Sequence, residues 1–231
     1  MSIAEKLTTV AENVPKVYEA GQKSEYDRFW DNFQNYGTRT VYSCSFGSGW
    51  TAETLKPKYD LRPTSAYMMF HNNMDQWILI DDFVEHCNNL GIVLDMSNCT
   101  NAQYGFTMLR TKHLGILDMR KCTSTSNIFY NNTKIVTIDE YICSETTQFH
   151  STTFEGATNL TNITFGGVIG KSANFSKNTK LTVASLNSII SCLKDLTGTG
   201  TTLTLTLGTT NLNKLSDSEK AVATQKGWTL A

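Results

Sequence analysis

No apolar run in the chain approaches the roughly 18–20 residues that cross a bilayer as a helix, so insertion in a membrane is not expected. Charge of one sign is missing as well. Twenty basic and 21 acidic side chains leave a formal net charge of −1. A nucleic-acid partner needs a basic face that displaces counterions from phosphates, so that class is excluded. The opening Met1-Ser2-Ile3-Ala4-Glu5-Lys6 lacks the basic-then-apolar order of a signal peptide, and no export by the general secretory route is expected. The six cysteines form no CxxC pair, which argues for reduced thiols rather than a disulfide framework. No GxSxG, HExxH, P-loop or GxGxxG occurs. His71, His86, His113 and His150 are scattered without metal-ligand spacing. No catalysis, metal or cofactor is expected.

Against three prolines stand 33 threonines and 19 asparagines in 231 residues. Thr packs its branched Cβ on a pleated surface, and Asn tolerates tight left-handed corners. Together they suggest many short strands joined by tight turns. The first 36 residues read differently. Ile3, Leu7, Val10, Val14 and Val17 are spaced 4, 3, 4, 3, the seam of a helix that meets a partner helix. Pro15 interrupts the run, so two helices are expected, ending near Gly37. Residues 1–36 are either a cap on the core or an oligomer-forming or docking stem, a homotrimer being one form. Residues 37–65, with Gly47, Gly49, Pro57 and Pro63, read as an irregular connection. Trp77 to about Asn89 has helical spacing.

From residue 66 the sequence repeats. Leu94-Asp95-Met96-Ser97-Asn98-Cys99-Thr100 returns 23 residues later as Leu117-Asp118-Met119-Arg120-Lys121-Cys122-Thr123, identical at five of seven positions. Phe106, Phe129 and Phe154 follow the same step, each preceding an LxxL-type pair: Leu114/Leu117, Ile135/Ile138 and Leu160/Ile163. Spacings of 23 and 25 fall in the leucine-rich-repeat window. One such unit cannot bury its own apolar side, so units stack and their strands pair in parallel. The expected fold is α/β: a short leucine-rich-repeat solenoid over 66–180 with a parallel sheet, N-terminal helices and an α/β cap over 181–231. In that cap a helix over 181–196, a strand over 202–207, a capping box at Ser216/Glu219 and a last strand at Trp228–Leu230 are predicted.

Thr153-Phe154-Glu155-Gly156-Ala157-Thr158-Asn159-Leu160-Thr161-Asn162-Ile163 and the preceding copy at 128–138 resemble the AFxxCxxLxxI unit of BspA-like leucine-rich repeats, found in bacterial surface proteins. The family's usual Cys is replaced by Asn132 and Ala157. The flanks, among them Lys56-Pro57-Lys58-Tyr59-Asp60 and the stretch from Leu205 to Thr229, resemble short repeat proteins encoded by phages and prophages of gut Gram-positive bacteria. The resemblance implies a tail, fibre or baseplate component, assembled in the host cytoplasm and carried in the virion. Its implied partners are other tail proteins and a protein or glycan on the host surface.

Alignment of the repeats puts Asp95, Asp118 and Asp139 at one register, with Thr164 next, all pointing away from the core. Strands about 4.8 Å apart would make such carboxylates repel by about 1 kcal/mol per pair in water. Solvent, Arg120 and Lys134, or a ligand would offset that. The same face is expected to carry Ser97, Ile116, Arg120, Thr137, Tyr141 and Asn162, with Tyr141 and Arg120 of the types enriched at binding hot spots. Three functions follow from the pattern: an adhesive tail component, a protein-binding module inside a bacterium, and a glycan hydrolase using Asp95 and Asp118. Cys99 and Cys122 are expected to stack as buried free thiols.

Overall fold

A computed structural model describes residues 65–67, 82, 84, 85, 88, 94–107, 109 and 111–231. The helices expected in 1–36, the stem residues Ile3, Leu7, Val10, Val14 and Val17, and nearly all of the 37–65 connection lie outside the described residues. Within the helix expected near 77–89, the described Val84, Glu85 and Asn88 are helical.

The architecture is mixed α/β, built on two parallel three-stranded sheets. The first comprises β1 (His113–Asp118), β2 (Thr137–Cys143) and β3 (Asn162–Gly167) in that order. The second comprises β4 (Ala173–Asn174), β5 (Leu203–Thr206) and β6 (Trp228–Leu230), also in chain order. Three helices, α1 (Val183–Ser191), α2 (Gly208–Leu212) and α3 (Asp217–Gln225), complete the C-terminal part.

Parallel register brings equivalent residues together. Leu114, Ile138 and Ile163 form one buried row, and Leu117, Tyr141 and Phe165 the next. Behind the strands Phe106, Phe129, Phe154 and Phe175 form a column, with ring centroids 6.0, 5.5 and 4.7 Å apart. All four are buried. The expected placement of these phenylalanines in one interior holds. Of the four residues expected in a single row, Ile138 and Ile163 share one. Leu117 lies in the next row, and Leu94, partly buried against the core, lies one repeat before it.

A side chain that alternates faces should not be buried at both Leu114 and Leu117, three residues apart. One extra residue in the strand accounts for it. β1 and β2 each place two residues between their buried rows, Gly115-Ile116 and Asp139-Glu140, where β3 places Thr164 alone. The β2–β3 register shifts at that point. The shift reverses the alternation and turns Tyr141 inward.

The turns carry the rest of the pattern. Cys99 N–H donates to the Met96 carbonyl at 2.8 Å and Cys122 N–H to that of Met119 at 2.9 Å. Between neighbouring turns, Thr123 N–H reaches Thr100 O at 2.8 Å and Ala102 N–H reaches Ser124 O at 2.9 Å. Cys99 and Cys122 are buried free thiols, as expected, each donating to a carbonyl two residues on. At the family's Cys position, Asn132 is buried and donates to Phe106 O at 3.3 Å. Asn178 does the same to Phe154 O and Ala157 O, at 3.0 and 2.8 Å. A buried amide here satisfies interior carbonyls that a thiol would meet more weakly.

The open edge of β3 is closed by a helix rather than a strand. Thr182 caps α1, accepting from Ser185 N–H at 3.3 Å. Ser185 and Ser188 lie on one side of α1 and accept the β3 amides of Ile163 (2.9 Å) and Phe165 (2.7 Å). α3 opens with the expected capping box, both of its bonds between Ser216 and Glu219 being present. The expected strands over 202–207 and 228–230 are β5 and β6, and α1 falls within 181–196. α2 has no expected counterpart; its buried Asn211 donates to Phe175 O, Asn178 O and Leu207 O.

Candidate binding face

The side of β1–β3 turned away from the core carries the candidate residues. Ile116 is 54% exposed, the most exposed large apolar side chain among the described residues. Beside it on β2 stand Asp139, exposed, and Glu140, half-buried. Asn162 and Thr164 are exposed on β3. Thr137 is half-buried and aligned between His113 and Asn162. A Cβ on Gly166 would come within 2.4 Å of Glu140 Oε1, so the Glu140 carboxylate reaches across the third strand.

Tyr141 does not belong to this face. Its ring is wholly buried, 5.4 Å from Phe154 and 5.3 Å from Phe165 between centroids. The extra residue in β2 places it there, and burial lifts its phenol well above the ordinary range. The single aspartate register is corrected too. Asp118 pairs with Ile142 in the sheet, and Asp139 lies level with Gly115, between the paired residues Ile138 and Glu140.

Two of the three aspartates serve the turns. Asp95 Oδ1 accepts the Ser97 amide at 3.0 Å, and Asp118 Oδ1 accepts the Arg120 amide at 3.2 Å. Asp118 also receives the Arg120 guanidinium in a fork, Nε at 2.9 Å and Nη2 at 2.6 Å. Arg120 thereby holds the Asp118 carboxyl below its usual value against the opposing effect of burial. A glycosidase acid needs the reverse shift. Ser97 is half-buried in its turn, and Arg120 remains exposed at the rim.

The third aspartate joins a cluster that the repeat pattern did not reveal. His113 directs Nδ1 to Asp82, 2.9 and 3.0 Å from its two carboxylate oxygens, and Nε2 to Asp139 Oδ1 at 2.8 Å. Burial pulls the imidazole pKa down, and hydrogen bonds and charge from Asp82 and Asp139 overcome it, leaving it above the ordinary value. Asp82 precedes a helical turn and takes the Glu85 amide at 2.9 Å; that bond and His113 outweigh burial and lower its carboxyl. The available signal was the 26-residue step from His113 to Asp139, close to one repeat.

Among the described residues no three His, Cys, Asp or Glu side chains are grouped so as to hold a metal ion, and no helix is long and apolar enough to cross a membrane. Compared with family models, curated proteins and solved structures, the chain finds no match.

Proposed function

We propose that this chain is a short leucine-rich-repeat solenoid of BspA-like type, and a non-enzymatic adhesive component of a phage tail, fibre or baseplate. Its contact surface is the outward face of β1–β3, made of Ile116, Thr137, Asp139, Asn162 and Thr164, with Asp95, Ser97, Asp118 and Arg120 at the rim. Residues 1–36 act as the stem that oligomerises or docks the chain to other tail proteins. One observation carries this reading: parallel strands pair at steps of 24 and 25 residues, the spacing of the sequence repeat, so each unit contributes the same outward positions to one surface. The paired state of Asp118 favours contact over glycan hydrolysis, because a carboxyl held ionised by arginine is a poor proton donor. The link to phage rests on the resemblance of the flanks and of the units at 128–138 and 153–163.

The test combines two measurements. Particles released from an induced lysogen are examined for this chain by mass spectrometry and by labelled antibody on the tail. The purified chain is also applied to cells of the host strain, together with Asn162→Arg and Thr164→Arg. Tail location, and cell binding lost in both variants at an unchanged unfolding midpoint, are the expected results. A chain absent from particles and retained in the bacterium overturns the tail reading. Release of sugars from host glycans overturns the non-enzymatic one.

A further inference from the structure

We propose that Asp82, His113 and Asp139 form a proton-gated clamp that ties the segment before β1 to the outward side of β2 and lets go of Asp139 when the imidazole loses its proton. The geometry makes the argument. Both ring nitrogens lie against carboxylate oxygens, Nδ1 at 2.9 Å from Asp82 and Nε2 at 2.8 Å from Asp139. A neutral imidazole carries one N–H and one lone pair. It can donate to one of the two carboxylates, and its lone pair then confronts the other. Only the imidazolium satisfies both contacts.

Which arm opens follows from what else holds each aspartate. Asp82 is fixed by the Glu85 amide and by a backbone bridge to His113 itself. Asp139 has its side chain 47% exposed, facing water on the sheet surface. Loss of the proton therefore leaves Nδ1–H on Asp82 and turns Asp139 out to solvent. Among the described residues the charged groups against the ring are Asp82 and Asp139; Glu85, Lys112 and Glu140 are the other described charged residues within three positions of the three clamp residues.

The carboxylates hold the imidazole above its ordinary value, so the sign is that of a raised cation. The clamp's contribution is full below the ordinary histidine value of 6.5 and disappears as pH rises through the higher folded value. The cluster then changes from one net negative charge to two. On the binding reading above, on which this consequence rests, a partner presenting an ammonium or guanidinium would bind Asp139 more tightly as pH rises.

The experiment needs no partner, so its failure and the failure of the binding reading are distinguishable. Ring 13C–1H resonances of the full chain are followed by NMR from about pH 5 to 9, with His113 assigned by its absence in His113→Gln. The expected midpoint lies above the ordinary histidine value, and the amides of Glu85, Asp139 and Glu140 shift with the same midpoint. In Asp139→Asn the midpoint falls and the β2 shifts vanish. A wild-type midpoint at or below the ordinary value, or one that Asp139→Asn leaves in place, overturns the clamp.

Discussion

Substitution of Tyr141 separates a buried ring from a surface hot spot, because the two placements predict opposite results. The ring packs between Phe149, Phe154 and Phe165 and is wholly buried. Its hydroxyl finds no hydrogen-bond partner, and the adjacent Thr125 directs its own hydroxyl to Gln148 O and Thr153. Tyr141→Ala should cost about 3–5 kcal/mol, the range for an aromatic ring deleted from a core. For a domain of this size each kcal/mol lowers the melting temperature by about 2–4 °C, which gives a drop of roughly 6–20 °C. Tyr141→Phe should act the other way. An unsatisfied buried hydroxyl costs about 1–3 kcal/mol, so its removal should stabilise by about 1 kcal/mol and raise the midpoint by roughly 2–4 °C. Urea unfolding followed by tryptophan fluorescence, with calorimetry on the same samples, measures both. A Tyr141→Ala protein that melts with wild type places the ring on the surface and removes the strand irregularity from the account. A Tyr141→Phe protein less stable than wild type by 1 kcal/mol or more shows that the hydroxyl is bonded.

Gly167 and Gly198 both have positive φ, but a Cβ on Gly167 would lie 2.0 Å from Cys143 O, whereas nothing lies within 4 Å of one on Gly198. Gly198→Ala should cost about 1 kcal/mol from backbone strain and Gly167→Ala about 1–3 kcal/mol more from the overlap, read from urea midpoints; equal losses would refute the close approach. Ser185→Ala and Ser188→Ala each leave one β3 amide without its acceptor and should cost about 1–3 kcal/mol apiece. The double variant, with the edge uncovered, should also self-associate in sedimentation, and a monomer of unchanged stability would count against the helix as an edge cover. The lowered Asp118 carboxyl contributes stability above the ordinary value of 3.8 and loses it as pH falls through the lower folded value. Arg120→Gln should therefore flatten the acid limb of the stability profile below about pH 4, and an unchanged limb would show that the ion pair contributes nothing.

Much of the interior was legible before any coordinates. A phenylalanine recurring every 23–25 residues has to fill the same place behind successive strands, and Phe106, Phe129, Phe154 and Phe175 do. The Ser216/Glu219 box, the alternating Thr–Leu strand and the terminal Trp228 strand were legible because each depends on residues within one turn or one strand. The site was legible only in part. Ile116, Asn162 and Thr164 face outward as their alternation with buried neighbours requires, while Tyr141 was assigned to the wrong side and Asp95, Asp118 and Asp139 to one row.

Repeat period, apolar rows and local caps are thus properties of the amino-acid order alone, since burial every 23–25 residues and bonding within a turn need no knowledge of what lies opposite. Three features belong to the tertiary structure. One added residue in β2 inverts every side chain beyond it, and only pairing with β3 locates that residue. α1 covers an edge where a further strand would pair, because Ser185 and Ser188 meet amides 22 and 23 residues away. Asp82 reaches His113 across 31 residues. Contacts between distant segments set all three, and no local periodicity encodes which segments those are.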